Sequence, residues 1–132
     1  MQAIRSNPAA QPDPAMRRAR VLTSAALKAA EVLGITQAQL GQIIGVSAPT
    51  VSRMKSGDYT LSEERKEWSL AALLVRLYRS LDSMVGGRPE DARAWLTSAN
   101  RAFDNATPAQ LLADVQGLVH VVDYLDAARG PV

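Results

Sequence analysis

Between Pro49 and Lys55, Val51 and Met54 stand three residues apart and so mark the buried side of a short helix. The complementary outward set is Pro49, Thr50, Ser52, Arg53 and Lys55. It offers hydroxyls, a guanidinium and an ammonium, and it contains no carboxylate. Such a face suits the major groove of duplex DNA, because phosphates repel carboxylates and a guanidinium reads guanine edges bidentately. Ser47 adds a hydroxyl at the head of this helix. Gln37, at the head of the helix before it, would lie near a phosphate, where first-turn amides favour negative charge. These seven residues are the candidate DNA-binding set.

The elements that must position them run from Thr36 to Gly57. Thr36 is a good N-cap, since its hydroxyl can accept a bond from a free first-turn amide. Leu40, Ile43 and Ile44 then share one face at helical spacing. Gly45 can adopt the positive φ of a tight helix exit, and Val46 plugs the corner. Gly41 keeps a side chain off the surface where the two helices approach most closely. Pro49 biases Ala48 away from helical angles, so either Ser47 or Ala48 caps the second helix. Gly57 ends it. Two short helices meeting at a sharp turn make a helix-turn-helix.

Charge supports this placement. Residues 1–61 hold seven Lys or Arg against three Asp or Glu, a balance of +4, within a whole-chain net charge of +2. Residues 62–132 hold eight against ten, a balance of −2. The front half carries the electrostatic footprint expected beside a polyanion. It is modest, which implies weak non-specific affinity per chain and two or more chains on a DNA site. Absence of cysteine removes disulfide frameworks and thiolate metal sites. No apolar run long enough to span a bilayer and no signal-peptide core is present, so the expectation is a cytoplasmic protein without membrane contact.

The 132 residues, 47% hydrophobic, suffice for one shared core. Residues 1–15, with Pro8, Pro12 and Pro14, read as a flexible arm. Residues 16–61 form the DNA-binding unit: a basic cluster from Met16 to Arg20, then a helix from Val21 to Leu33. Leu22, Ala26, Leu27, Ala30 and Leu33 face inward, and Gly34 stops that helix. Ile35 staples the next one across Thr36. Residues 62–87 read as the longest helix, capped by Ser62 and closed by Gly86 and Gly87. Its broad apolar side, from Trp68 to Met84, implies packing against both halves of the chain or against a second copy. In residues 88–132, Pro89 opens a helix with Trp95, Leu96 and Ala99 inward. Asn100 and Phe103 lead to a turn at Asp104-Asn105, and Thr107-Pro108 opens a short helix to Val115 that Gly117 breaks. Leu118, Val121, Val122 and Leu125 face inward in the last segment, with Tyr124 alongside. No alternating strand pattern occurs, so the fold class is all-α: an N-terminal helix-turn-helix bundle followed by a smaller helical domain.

The second half resembles a known family. The likeness lies in LLVRLYRSLDSMVGG (residues 73–87), AWLTSANRAF (residues 94–103) and TPAQLLADVQGLVHVVDYLDAARG (residues 107–130). These are similar to the Xre/MbcA/ParS-type antitoxins of RES–Xre type II toxin–antitoxin pairs. With the helix-turn-helix the resemblance spans about residues 21–132. At Asp104-Asn105-Ala106 the family often has a glycine before its Thr-Pro, but Asn tolerates positive φ. The resemblance implies a protein that represses its own operon and silences a RES-domain toxin, an enzyme that consumes NAD. The implied partners are that toxin and double-stranded operator DNA, with the chain a homodimer inside a larger complex. The small helical domain is then the toxin-binding one, and its candidate contacts are Trp95, Asn100, Tyr124, Asp126, Arg129, Gly130, Pro131 and Val132. A cavity that holds NAD must offer cations to its pyrophosphate. The tail ending in the Val132 carboxylate, with Asp126 and Arg129, is expected to lie across that cavity.

Catalysis by this chain itself is not expected. His120 is the single histidine, in an apolar segment, without a cysteine, a His-Glu cluster or a phosphate-cradling glycine loop beside it. No metal site and no cofactor are expected. The competing reading is a free-standing repressor whose second half only dimerises or senses a ligand.

Overall fold

A computed structural model describes residues 13–129. Nearly all of the expected arm, and the tail residues Gly130, Pro131 and Val132, lie outside the described residues. Among those described, every regular element is helical: α1 (Pro14–Leu33), α2 (Gln37–Ile44), α3 (Ala48–Ser56), α4 (Lys66–Met84), α5 (Pro89–Thr97), a 3-10 turn (Arg101–Phe103), α6 (Pro108–Leu111) and α7 (Val115–Arg129). The all-α expectation holds.

α4 is the central strut. It packs against α1 and α2 on one side and against α5 and α7 on the other. One continuous core runs from Ala26 and Ile44 through Leu74, Leu77 and Leu81 to Leu118 and Leu125. The two halves therefore share their apolar interior. None of the described helices is long and apolar enough to cross a membrane.

Several local expectations need correction. The first helix starts at Pro14, with the Asp13 carboxylate accepting from the Met16 amide at 3.0 Å, so the basic cluster lies within it. Leu22 and Leu27 are only partly buried, and Thr23 is buried beside them. The Thr23 hydroxyl donates to the Ala19 carbonyl and accepts the Leu61 amide at 2.9 Å, fastening the following loop to α1. Ser62 does not cap α4, which begins at Lys66 and is one residue shorter than the 20-residue α1. The buried Glu67 carboxylate accepts the Ser62 amide at 3.0 Å, holding residues 62–65 as a turn. Gly117 does not break the chain but sits inside α7, where a Cβ would come within 2.1 Å of the Leu111 carbonyl oxygen. Its service is close approach between α6 and α7. Ala99 is exposed, beyond the end of α5.

Candidate functional site

The helix-turn-helix is built as its sequence dictates. Thr36 and Gln39 form a reciprocal capping box on α2. The Gly41 carbonyl accepts the amides of Gly45 and Val46 at 2.8 and 2.9 Å, with Gly45 at φ +80°. Ser47, not Ala48, caps α3, accepting the Thr50 amide at 3.2 Å, with Pro49 in the first turn.

α3 buries Val51 and Met54 and leaves Pro49, Ser52, Arg53 and Lys55 exposed. The seven candidates fall into two groups. Ser47, Thr50 and Arg53 form a chain: the Ser47 and Thr50 hydroxyls lie 2.9 Å apart, and Arg53 Nη2 donates to Thr50 Oγ1 at 3.0 Å. Lys55 lies on the other flank, lining a cleft with Gln37. Pro49 and Ser52 stand between them on the outer surface.

A support for Arg53 was not legible in the sequence. Its guanidinium carbon sits 6.0 Å from the centre of the Tyr59 ring, within cation–π range. The Tyr59 hydroxyl in turn donates to both oxygens of the buried Glu67 carboxylate, at 2.7 and 2.9 Å. A carboxylate at the root of α4 thus steadies the arginine on α3. Burial first, and then the hydrogen bond and negative charge of Glu67, raise the Tyr59 phenol above its ordinary value of 10.0. A pKa higher in the folded state stabilises the fold fully below the unfolded value and ceases to do so as pH rises through the folded one. Alkaline ultraviolet titration should therefore show a late tyrosine step, above the ordinary phenol value. Tyr59→Phe should remove that late step and leave a stability profile that falls less above pH about 10.

The second set of candidates divides as well. Trp95 on α5 stacks on Tyr124 of α7, with centroids 6.1 Å apart and planes at 23°. Phe103, buried below them, meets both rings and His120 edge-on, the last at 5.0 Å. On α7 this cluster keeps an exposed side, with Tyr124 37% exposed and His120 exposed beside it. His120 and Tyr124 stand four apart on one helix face, a spacing that could have grouped them. Asn100 is a structural cap, its side-chain oxygen accepting the Ala102 amide at 2.9 Å.

Asp126 and Arg129 turn inward toward α4 instead of joining that face. Ser80, fully buried, donates to Asp126 at 3.0 Å and accepts from Arg129 at 3.1 Å. Arg76 closes the network with a 2.5 Å ion pair to Asp126. This anchors the end of α7 to α4. Among the described residues no three carboxylate or histidine side chains cluster to hold a metal ion.

Comparison with known proteins places these two surfaces in separate matched stretches. Residues 14–76 match the antitoxin Xre-like helix-turn-helix domain. Residues 80–131 match the antitoxin Xre/MbcA/ParS C-terminal toxin-binding domain. Mycobacterial cidal antitoxin MbcA of Mycobacterium bovis is 30% identical over 95 residues, which cover 71% of this chain and 80% of that one. The proteins of that name in Mycobacterium tuberculosis match to the same extent. A 71-residue similarity, at 34% identity, to mitochondrial N-acetylglutamate synthase of Danio rerio covers only 13% of that chain. The two matched stretches meet inside α4.

Proposed function

The chain belongs to the Xre/MbcA/ParS antitoxin family, and from that premise we propose that it neutralises a toxin through α5–α7 and binds operator DNA through α3. The toxin is a RES-domain enzyme that consumes NAD. The observation that carries this reading is the aromatic face of Trp95, His120 and Tyr124, half-exposed over buried Phe103 within the stretch that matches a toxin-binding domain. Rigid aromatic groups with one wet side are typical anchors of protein interfaces. Residues 130–132, which follow the anchored end of α7, lie across the toxin's cavity and bar NAD.

The DNA half acts as a repressor of the chain's own operon. Its Arg53 reads a base edge, steadied by Thr50 and Tyr59, and Lys55 and Gln37 grip phosphate on the other flank. A dimer would set two α3 helices about 34 Å apart on a palindromic operator. Electrophoretic mobility shifts test this half. Arg53→Ala should cost about 1–3 kcal/mol of discrimination between operator and random duplex, whereas Lys55→Ala should weaken both and lower the salt slope by about 1. Unchanged operator binding by both variants would remove α3 as the reading element.

Co-expression tests the other half. The chain should co-purify in a fixed ratio with a RES-domain enzyme encoded beside it. Failure to associate would leave a repressor alone.

A further inference from the structure

We propose that the groove between α1 and α4 docks an acidic amphipathic helix of another protein. This groove, of about 740 Å³, is separate from the aromatic face and from α3, and no residue of α2 or α3 lines it. Its floor is apolar: Val21, Leu22 and Ala25 from α1 face Trp68 and Val75 from α4. Val21 is 62% exposed, the most exposed large apolar side chain among the described residues, and Trp68 is only partly buried. Its rim is arginine throughout: Arg17 and Arg18 on one wall, Arg76 and Arg79 on the other, and Arg129 at the end. Among the described residues no carboxylate lines it.

Arg18 pairs with Glu63, Arg76 with Asp126, and Arg129 donates to Ser80. Arg18 and Arg76 remain more than half exposed, at 56% and 63%, so their remaining donors face outward. An apolar strip between rows of guanidinium groups calls for a ligand with the inverse pattern. That pattern is a helix with apolar residues at i, i+4 and i+7 and Asp or Glu on both flanks, forming charge-assisted bonds to the rim. From Trp68 to Arg79, α4 extends roughly 16 Å at 1.5 Å per residue, enough for a partner of about three turns. Trp and Arg are also the residue types that dominate interface energetics.

Charge decides among the other occupants. A second copy placed about a two-fold axis would set this arginine rim against itself, which is repulsive. Residues 1–12 contain no carboxylate and include Arg5, so the chain's own front segment lacks the matching charge. Duplex DNA would use the guanidinium groups but leave the apolar floor without a partner.

The test uses the full chain labelled with 5-fluorotryptophan, whose two 19F resonances report Trp68 and Trp95 separately, assigned by Trp68→Phe. The probe is a designed, end-capped helical peptide with leucine at i, i+4, i+7 and i+11 and glutamate beside them. The Trp68 signal should shift saturably while the Trp95 signal stays, and the same peptide with lysine for glutamate should do nothing. Arg79→Glu and, separately, Val21→Glu, both at exposed positions with folding checked by circular dichroism, should each weaken the peptide at least tenfold. No Trp68 shift, or an equal shift with the lysine peptide, would overturn the proposal. So would a tighter response to random duplex DNA or to phosphatidylserine vesicles. A Trp68 shift that depends on protein concentration alone and vanishes in Val21→Glu would assign the groove to a second copy instead.

Discussion

A Gly41→Ala variant should melt well below the parent chain and lose operator binding. A Cβ at this position would lie 2.6 Å from the Val46 carbonyl oxygen, and the obstacle is backbone. That carbonyl belongs to the turn that sets α3 against α2, so it cannot move without re-aiming the reading helix. Overpacking of this kind costs about 1–3 kcal/mol, on the order of 10 °C in melting temperature for a chain of this size. Gly57→Ala is the informative control. Nothing lies within 4 Å of its added Cβ, but its φ of +87° is strained for any other residue, a penalty of roughly 1–2 kcal/mol. It should lower the melting temperature while leaving operator affinity nearly intact, because it follows α3 and does not aim it. Equal operator binding by Gly41→Ala and the parent would refute the geometry of the turn.

The second large effect concerns the aromatic face. If Trp95 and Tyr124 anchor the toxin, Tyr124→Ala should weaken its capture by about 2–4 kcal/mol, roughly 30- to 1000-fold in Kd. Trp95→Ala should do the same. The two losses should not add, because each ring stacks on the other and both rest on Phe103. Loss of the stacking itself accounts for about 0.5–1.5 kcal/mol of fold stability, so thermal melts separate damage to the fold from damage to the interface. Removing residues 129–132 should split the two properties differently: inhibition falls while complex formation partly survives. Calorimetric titration beside an activity assay distinguishes the cases. Undiminished binding by the Tyr124 variant would move the interface elsewhere on the domain.

What the sequence made legible was whatever local chemistry decides. Thr36, Gly41, Gly45 and Gly57 specify a helix-turn-helix because caps, close approach and positive φ act within a few residues. Asp104 and Asn105 keep the turn where a glycine was the family habit, both at positive φ. Errors arose where a distant partner outweighed a local signal. Ser62 looked like a cap, but Glu67 is buried and takes its amide. Gly117 looked like a breaker, but the Leu111 carbonyl needs the room. The inward anchoring of Asp126 and Arg129 joins residues 46 and 49 positions from Ser80, a separation over which no pattern rule acts. Ser80, at a core-facing position between Leu77 and Leu81 of α4, was the one available hint. The Arg53–Tyr59–Glu67 relay likewise crosses from α3 to α4 and appears only once they pack.

The central claim is that α5–α7 close the active site of a toxin. The most direct measurement takes the proposed partner, a purified RES-domain enzyme, and follows its NAD consumption while the chain is titrated in. Consumption should cease at a fixed stoichiometric ratio, and Trp95→Ala with Tyr124→Ala should restore it. Full turnover in the presence of excess folded chain would contradict the account.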